Sequence, residues 1–243
     1  MVWELVLVFF IVLLGGFIQG ATSFGLGLVV MGFLPLFLTI KESTLLVLSL
    51  LFVASLHILL KYRRYIDFKG LIVILSAAFL GRILAFLVLS TYGDMDFLKK
   101  WLGFFLIGMV VYLLLNKKIS PKAKSNPAIP IFLGMVGGFV GGVFAVGGPF
   151  FVFYFLMLYE NKYTFNANLQ ACIVLTSLFT LILHGINGDF YPGFSLYLLI
   201  GLISVFAGIT LGLKCFDKLP INQIKNCAIG LVVIAAFNLI FFT

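Results

Sequence analysis

Charge is scarce in this 243-residue chain. Lys, Arg, Asp and Glu together make up 10% of it, against about 25% in an ordinary soluble domain, so the sequence cannot cover a water-facing surface. Carboxylates are few, with eight Asp and Glu in all, and none lies inside an apolar run away from its ends. That leaves no paired acids for buried acid–base chemistry, and no His-Glu-x-x-His occurs, which counts against a membrane-embedded enzyme. There are two histidines and three cysteines, and Cys172, Cys215 and Cys227 are scattered without metal-ligand spacing; they read as small hydrophobes in helices. No Lys or Arg precedes Lys41, so the basic region of a signal peptide is missing and the first apolar run reads as part of the mature fold. Nucleotide motifs are missing too. The run "GGFVGGVFAVGGPFF" from Gly137 to Phe151 has neither the Lys-Ser/Thr of a P-loop nor a ribose-binding acid after a strand. No cofactor is expected.

What is abundant is apolar surface: 63% of the residues are hydrophobic, 29 of them Phe. They fall in long runs over 3–40, 43–60, 70–89, 101–115, 128–158, 167–183, 194–213 and 228–242, most of them reaching the roughly 17–25 residues that cross a bilayer core. Membrane β-strands alternate and are only about ten residues long, so the fold class is an all-α polytopic membrane protein. The net charge of +8 then reflects Lys and Arg in cytoplasmic loops, not a nucleic-acid surface. The expected location is the cell (inner or plasma) membrane, with the lipid bilayer as surroundings.

The chain also repeats itself. At an offset of 122 residues, Gly15, Gly16, Phe17, Gly20 and Gly25 fall on Gly137, Gly138, Phe139, Gly142 and Gly147. Val30, Phe33, Leu34 and Leu36 fall on Val152, Phe155, Leu156 and Leu158, Ser55 falls on Ser177, and Asp67-Phe68 falls on Asp189-Phe190. Later the register slips by five, so that Phe79, Gly81 and Leu84 meet Phe206, Gly208 and Leu211. Loop charge sets the sign of the repeat. The segments 61–69, 116–126 and 214–225 are net basic and belong in the cytoplasm, while the loop of Asp189 has no base and belongs outside. Eight simple spans cannot satisfy this. Two hairpins, each broken at its glycines and crossing an even number of times, can. Each half then holds a hairpin and three full spans, and the odd number of crossings inverts the halves, an architecture of secondary transporters. The expected layout is repeat 1 over 1–115 (hairpin 3–40, helices 43–61, 69–90 and 97–115), a basic cytoplasmic linker over 116–127, and repeat 2 over 128–243 (hairpin 128–160, helices 165–184, 193–213 and 223–242).

Broken backbone survives in a membrane only where protein or a water-filled cavity surrounds it. The turn from Gln19 through Gly20, Thr22, Ser23 and Gly25 to Gly27 carries no charge and is expected to stop inside the membrane, with Thr22 or Ser23 as N-cap of the returning half-helix. In the second half Pro149 suits the first helical position after Gly147-Gly148. Two helix N-termini converging there would present free N–H groups and positive dipole ends to a small anion. Gly16, Gly20, Gly138 and Gly142 also fit small-xxx-small helix packing; Gly25, Gly27, Gly147 and Gly148 sit beside the break and read as site glycines. Arg82 lies mid-span, where a charge is a functional candidate by default; it either neutralises the substrate or holds the C-terminal carbonyls of a half-helix. Ser55 and Ser177 either line the site or bond back to their own helix. His57 and His184 could carry a coupled proton or could be structural, and Gln170 and Asn187 are weaker polar candidates.

The paired runs "GGFIQGATSFGLGLVVMGFLPL" and "GGFVGGVFAVGGPFFVFYFL" resemble the sulfite exporter TauE/SafE family, as do the chain's length, its two four-segment halves and its basic central loop. The resemblance implies a bacterial or archaeal inner-membrane permease for sulfite, a sulfonate or a related organosulfur anion. The sequence departs from the family's commoner glycine triplet, reading Gly25-Leu26-Gly27 and Gly147-Gly148-Pro149, and Thr22 and Ser23 stand where small apolar residues are usual. An anion channel is the alternative to a carrier.

Overall fold

The computed structural model describes residues 2–115 and 128–215, with Val233, Phe237 and Ile240 helical beyond them. The predicted linker 116–127, most of the predicted helix 223–242 and the residues Lys118, Lys218 and Cys227 lie outside the described residues. What is described is helical throughout, with no strand. The helices are α1 Val2–Thr22, α2 Leu26–Phe33, α3 Ile40–Tyr62, α4 Phe68–Tyr92, α5 Phe97–Leu115, α6 Ala128–Phe144, α7 Gly148–Leu158, α8 Lys162–Asn187 and α9 Phe194–Cys215. Among the described helices, five (all but α1's first residue, α3 with the short 3-10 turn that follows it, α4, α8 and α9) are long and apolar enough to cross a membrane. The protein is a multi-pass α-helical membrane protein.

Helix ends follow local chemistry. Thr39 and Glu42 form a capping box at the start of α3: the Thr39 hydroxyl accepts from the Glu42 N–H at 3.2 Å, and the Glu42 carboxylate accepts from the Thr39 N–H at 2.9 Å. Asp67 caps α4 and Asn161 caps α8 through their side-chain oxygens. Pro35 sits in the 3-10 turn Leu34–Leu36 that ends the first hairpin's return. Outward faces are greasy: Phe68, Ile72, Leu80, Leu84 and Leu87 of α4 are exposed, while Leu71, Ile74, Ala78, Arg82, Ala85 and Leu89 on its other face are buried. That stripe follows the helical period, so Arg82 points into the bundle.

Two glycine-lined pairs build the frame. In α4 and α6, Gly134 meets Ile74, Gly138 meets Ala78 and Gly142 meets Ala85. A β-carbon on Gly138 would lie 2.2 Å from the Ala78 carbonyl oxygen, and one on Gly81 would lie 2.2 Å from that of Met135. In α1 and α9, Gly16 meets Val205 and Gly20 meets Ile209, and a β-carbon on Gly208 would lie 2.3 Å from the Leu13 carbonyl oxygen. The packing reading of Gly16, Gly20, Gly138 and Gly142 is therefore what the backbone shows. The progression of contacts gives each pair one direction, and Glu4 near the start of α1 accepts from Tyr197 near the start of α9 at 2.8 Å. Helix α8 runs with α4, since Asn168 meets Asp67 and Thr180 meets Arg82. It runs against α3, because Tyr62 at the end of α3 stacks on Tyr163 at the start of α8, with centroids 5.7 Å apart.

Candidate functional site

Both predicted breaks are present, and they share one backbone feature. Ser23 (φ 72°) ends the first half-helix and Ala145 (φ 53°) the second, each a non-glycine residue in the left-handed region. These are matched positions of the repeat, 122 residues apart. At the first break the expected N-cap is corrected. The cap of α2 is Gly25, at φ 121°, without a side-chain hydrogen bond; Thr22 donates instead to the Ile18 carbonyl at 2.9 Å and to that of Phe24, and the buried Ser23 hydroxyl has no partner. The free end of α2 is met from one turn back, by Gln19, whose side-chain oxygen accepts from the Leu26 N–H at 3.3 Å. At the second break Gly147 caps α7, so Pro149 holds the second helical position, one later than expected, where its missing N–H costs nothing.

Side chains of α3, α4 and α8 then tie down the broken backbone. Thr44 donates to the Val143 carbonyl at 2.8 Å. Gln170, only a weak candidate from sequence, donates to the Ser23 carbonyl at 2.8 Å and to the Asn166 side chain at 2.9 Å, and accepts from Gln19 at 3.4 Å. Arg82, 3% exposed, donates to the Gly141 carbonyl at 2.7 Å and to the hydroxyls of Thr180 and Thr176 at 3.3 Å each. Gly141 is in the last turn of α6, so one predicted role of Arg82, holding the carbonyl end of a half-helix, is present in the geometry. Its Nε remains buried without a partner.

The tips touch. A β-carbon on Gly27 would sit 2.1 Å from the Ala145 carbonyl oxygen, whereas one on Gly148 would meet only Phe24, at 3.8 Å. Between the tips lies a small, partly open cleft of about 30 Å³. Of the predicted residues, Gln19, Gly25, Gly27, Arg82, Gly147, Gly148, Pro149 and Ser177 line it. Phe24, Leu51, Val146 and Ile173 add apolar walls that sequence reasoning missed, since nothing in an apolar run marks which wall faces a cleft. Gly20, Thr22, Ser23, Gly142 and Ser55 are not part of the lining. Gly20 packs on α9, and Gly142 packs on Ala85 and the Arg82 stem. Ser55 and Ser177 are both buried with unpartnered hydroxyls, so the expected bond back to a helix carbonyl is made by neither. His57 is exposed, edge-on to Phe206 at 5.7 Å, and Asn187 bonds Asp189 at 3.0 Å, away from the cleft.

The cleft thus joins a buried guanidinium, two helix N-termini and the unpartnered Ser177 hydroxyl, and no carboxylate among the described residues lines it. Each buried unsatisfied donor costs about 1–3 kcal/mol until an acceptor arrives, and helix N-termini favour negative charge. The profile of the Sulfite exporter TauE/SafE family matches residues 8–239, nearly the whole chain. The chain belongs to the sulfite exporter TauE/SafE family. No curated protein and no solved structure matches it. As a TauE/SafE protein it is a membrane transporter, and the cleft with its buried Arg82 guanidinium fits the small anionic substrate that the family implies.

Proposed function

We propose that this TauE/SafE protein is a secondary carrier of the cell inner membrane that moves sulfite, a sulfonate or a related organosulfur anion by alternating access. The observation that carries the reading is the buried Arg82 beside the meeting point of two helix breaks. The anion takes the free donors of the α2 and α7 N-termini, the Ser177 hydroxyl and the guanidinium, while Gln19 and Gln170 hold the first tip. Gly27 and Gly148 keep the tips free of side chains at the point of approach.

The carrier reading includes two inverted repeats, 1–115 and 128–243, about a cytoplasmic linker. Helix α1 runs with α9, and α6 runs with α4. Helix α4 also runs with α8, and a six-residue turn reverses the chain from α8 into α9. Helices α1 and α6 therefore enter from opposite faces, which supports inversion. Rocking one hairpin against the other would open the cleft to each side in turn.

The deciding experiment is sulfite counterflow in proteoliposomes. Internal unlabelled sulfite should drive transient accumulation of radiolabelled sulfite, as a carrier requires. Labelled sulfite that only equilibrates, without overshoot, would establish the anion channel instead.

A further inference from the structure

The polar face of α8 that meets Arg82 continues beyond it. Thr176 and Thr180 accept from the guanidinium, and four residues further is His184, whose side chain is fully buried. On α4 the residue one turn beyond Arg82 is Phe86, whose ring lies edge-on to the His184 ring with centroids 4.9 Å apart. The imidazole Nδ1 is 2.6 Å from a carboxylate oxygen of Asp189, which also accepts from Asn187 at 3.0 Å. Burial alone would raise the Asp189 carboxyl, but the hydrogen bonds from His184 and Asn187 outweigh it and hold the group below its ordinary range. Asp189 is therefore an anion at neutral pH. An anionic acceptor at Nδ1 keeps the proton on that nitrogen, which leaves Nε2 as a bare lone pair, buried and without a partner. A structural histidine with both nitrogens satisfied would look different.

We propose that His184, oriented by Asp189, is a proton-binding site whose occupancy is linked to charge at Arg82. A proton from water forms the Nε2–H bond, giving an imidazolium paired with Asp189, and it leaves by the reverse step. The charged and titratable groups facing this site are few among the described residues. Asp189 follows α8, Lys41 opens α3 and is paired with Asp94 at 2.7 Å, and Arg82 of α4 reaches Thr180, one turn before His184. The Tyr191 hydroxyl lies in the turn towards α9, and Glu42 is engaged in the α3 capping box. Protonating His184 adds one positive charge to this set. An anion beside Arg82 offsets that added charge. Anion and proton then favour each other's binding by the same factor. Under the carrier reading, on which this consequence rests, the two travel together.

The test does not need the substrate. The chain has two histidines, so histidine-labelled protein in detergent gives two imidazole signals by NMR, and His57→Gln assigns them. The His184 signal is followed from pH 4 to 9 and is expected to shift as the ring takes up a proton. Removing the Arg82 charge in Arg82→Gln should raise its midpoint measurably. Asp189→Asn, on a turn away from the cleft, should lower it and keeps the test decisive if Arg82→Gln does not fold. A His184 held in one protonation state across that range, or a midpoint unmoved in the folded variants, overturns the proposal. Absence of sulfite counterflow in the wild type would instead overturn the carrier reading and leave these titrations to judge the proton site.

Discussion

Residue scale separates glycines that the fold needs from those that a ligand would need. Gly25 sits at φ 121°, so any side chain there strains the turn, and loss of function in Gly25→Ala says nothing about anions. Gly27 is no better, because its β-carbon would strike the Ala145 carbonyl. Gly148 is the discriminating position. It lines the cleft, its φ is not in the left-handed region, and an added methyl would find only Phe24 at van der Waals distance. Gly148→Ala should therefore fold and melt like the wild type while weakening sulfite binding about tenfold, the effect of one lost charge-assisted hydrogen bond. Isothermal titration beside a detergent melting curve checks both halves, and unchanged affinity would move the anion away from the tips. Arg82→Lys is the companion. A lysine ammonium cannot reproduce the fork that holds the Gly141 carbonyl and two threonine hydroxyls, so affinity should fall by about 10–100-fold even though the charge is kept.

At the scale of elements, the two glycine-lined helix pairs carry the stability argument. The α4–α6 contact brings backbone against backbone at Gly81 and Gly138, and the matched α1–α9 contact does so at Gly208 and Gly20. Gly138→Ala pushes a methyl into the Ala78 carbonyl, and overpacking of this kind costs about 1–3 kcal/mol. Its melting temperature in detergent should drop clearly, while Gly108→Ala, with nothing within 4 Å, should match the wild type or exceed it. This changes what a glycine scan can report: sensitivity at Gly138 measures packing, so Gly138 is not a neutral control for the tips. The small-xxx-small spacing made these glycines readable as packing positions. Their partners were not readable, because which helices meet across more than fifty residues is settled by tertiary packing. The breaks were legible from the doubled glycine run and the repeat. The N-cap was not, because Ser23 takes a left-handed backbone that residue type does not announce. Nor was the partner of α2's first turn, because Gln19 reaches it from the preceding half-helix. Arg82 stood out by charge alone, yet the hydroxyls that receive it, Thr176 and Thr180, look like ordinary helix threonines in the sequence.

For the whole molecule the question is which end of the bundle faces the cytoplasm, and among the described residues the two ends differ in net charge. One end gathers Lys61, Arg63, Arg64 and Lys69 around the α3–α4 junction. There Asp67 accepts from the Tyr159 hydroxyl at 2.9 Å and its N–H donates to Asn168 at 3.0 Å. The opposite end holds the starts of α1, α3 and α9, where Lys41 is neutralised by Asp94 and Lys99 by Asp96. Lys41 and Lys99 are paired, which leaves Lys100 against four bases and the single acid Asp67 at the other end, so the Arg63–Arg64 end should be cytoplasmic. The repeat places Asp67 on Asp189, and these two acids lie at opposite ends, each fastening the segments around it. Single cysteines replacing Arg64 and Asp94, in a background without the native thiols, test the orientation with a membrane-impermeant maleimide applied to intact cells. Asp94→Cys should label from outside and Arg64→Cys only after the membrane is opened. Labelling of both from outside would break the antiparallel arrangement of α3 and α4 ends and with it the inverted halves. The reverse pattern would keep the inversion but turn the protein over, placing the His184–Asp189 pair at the cytoplasmic mouth.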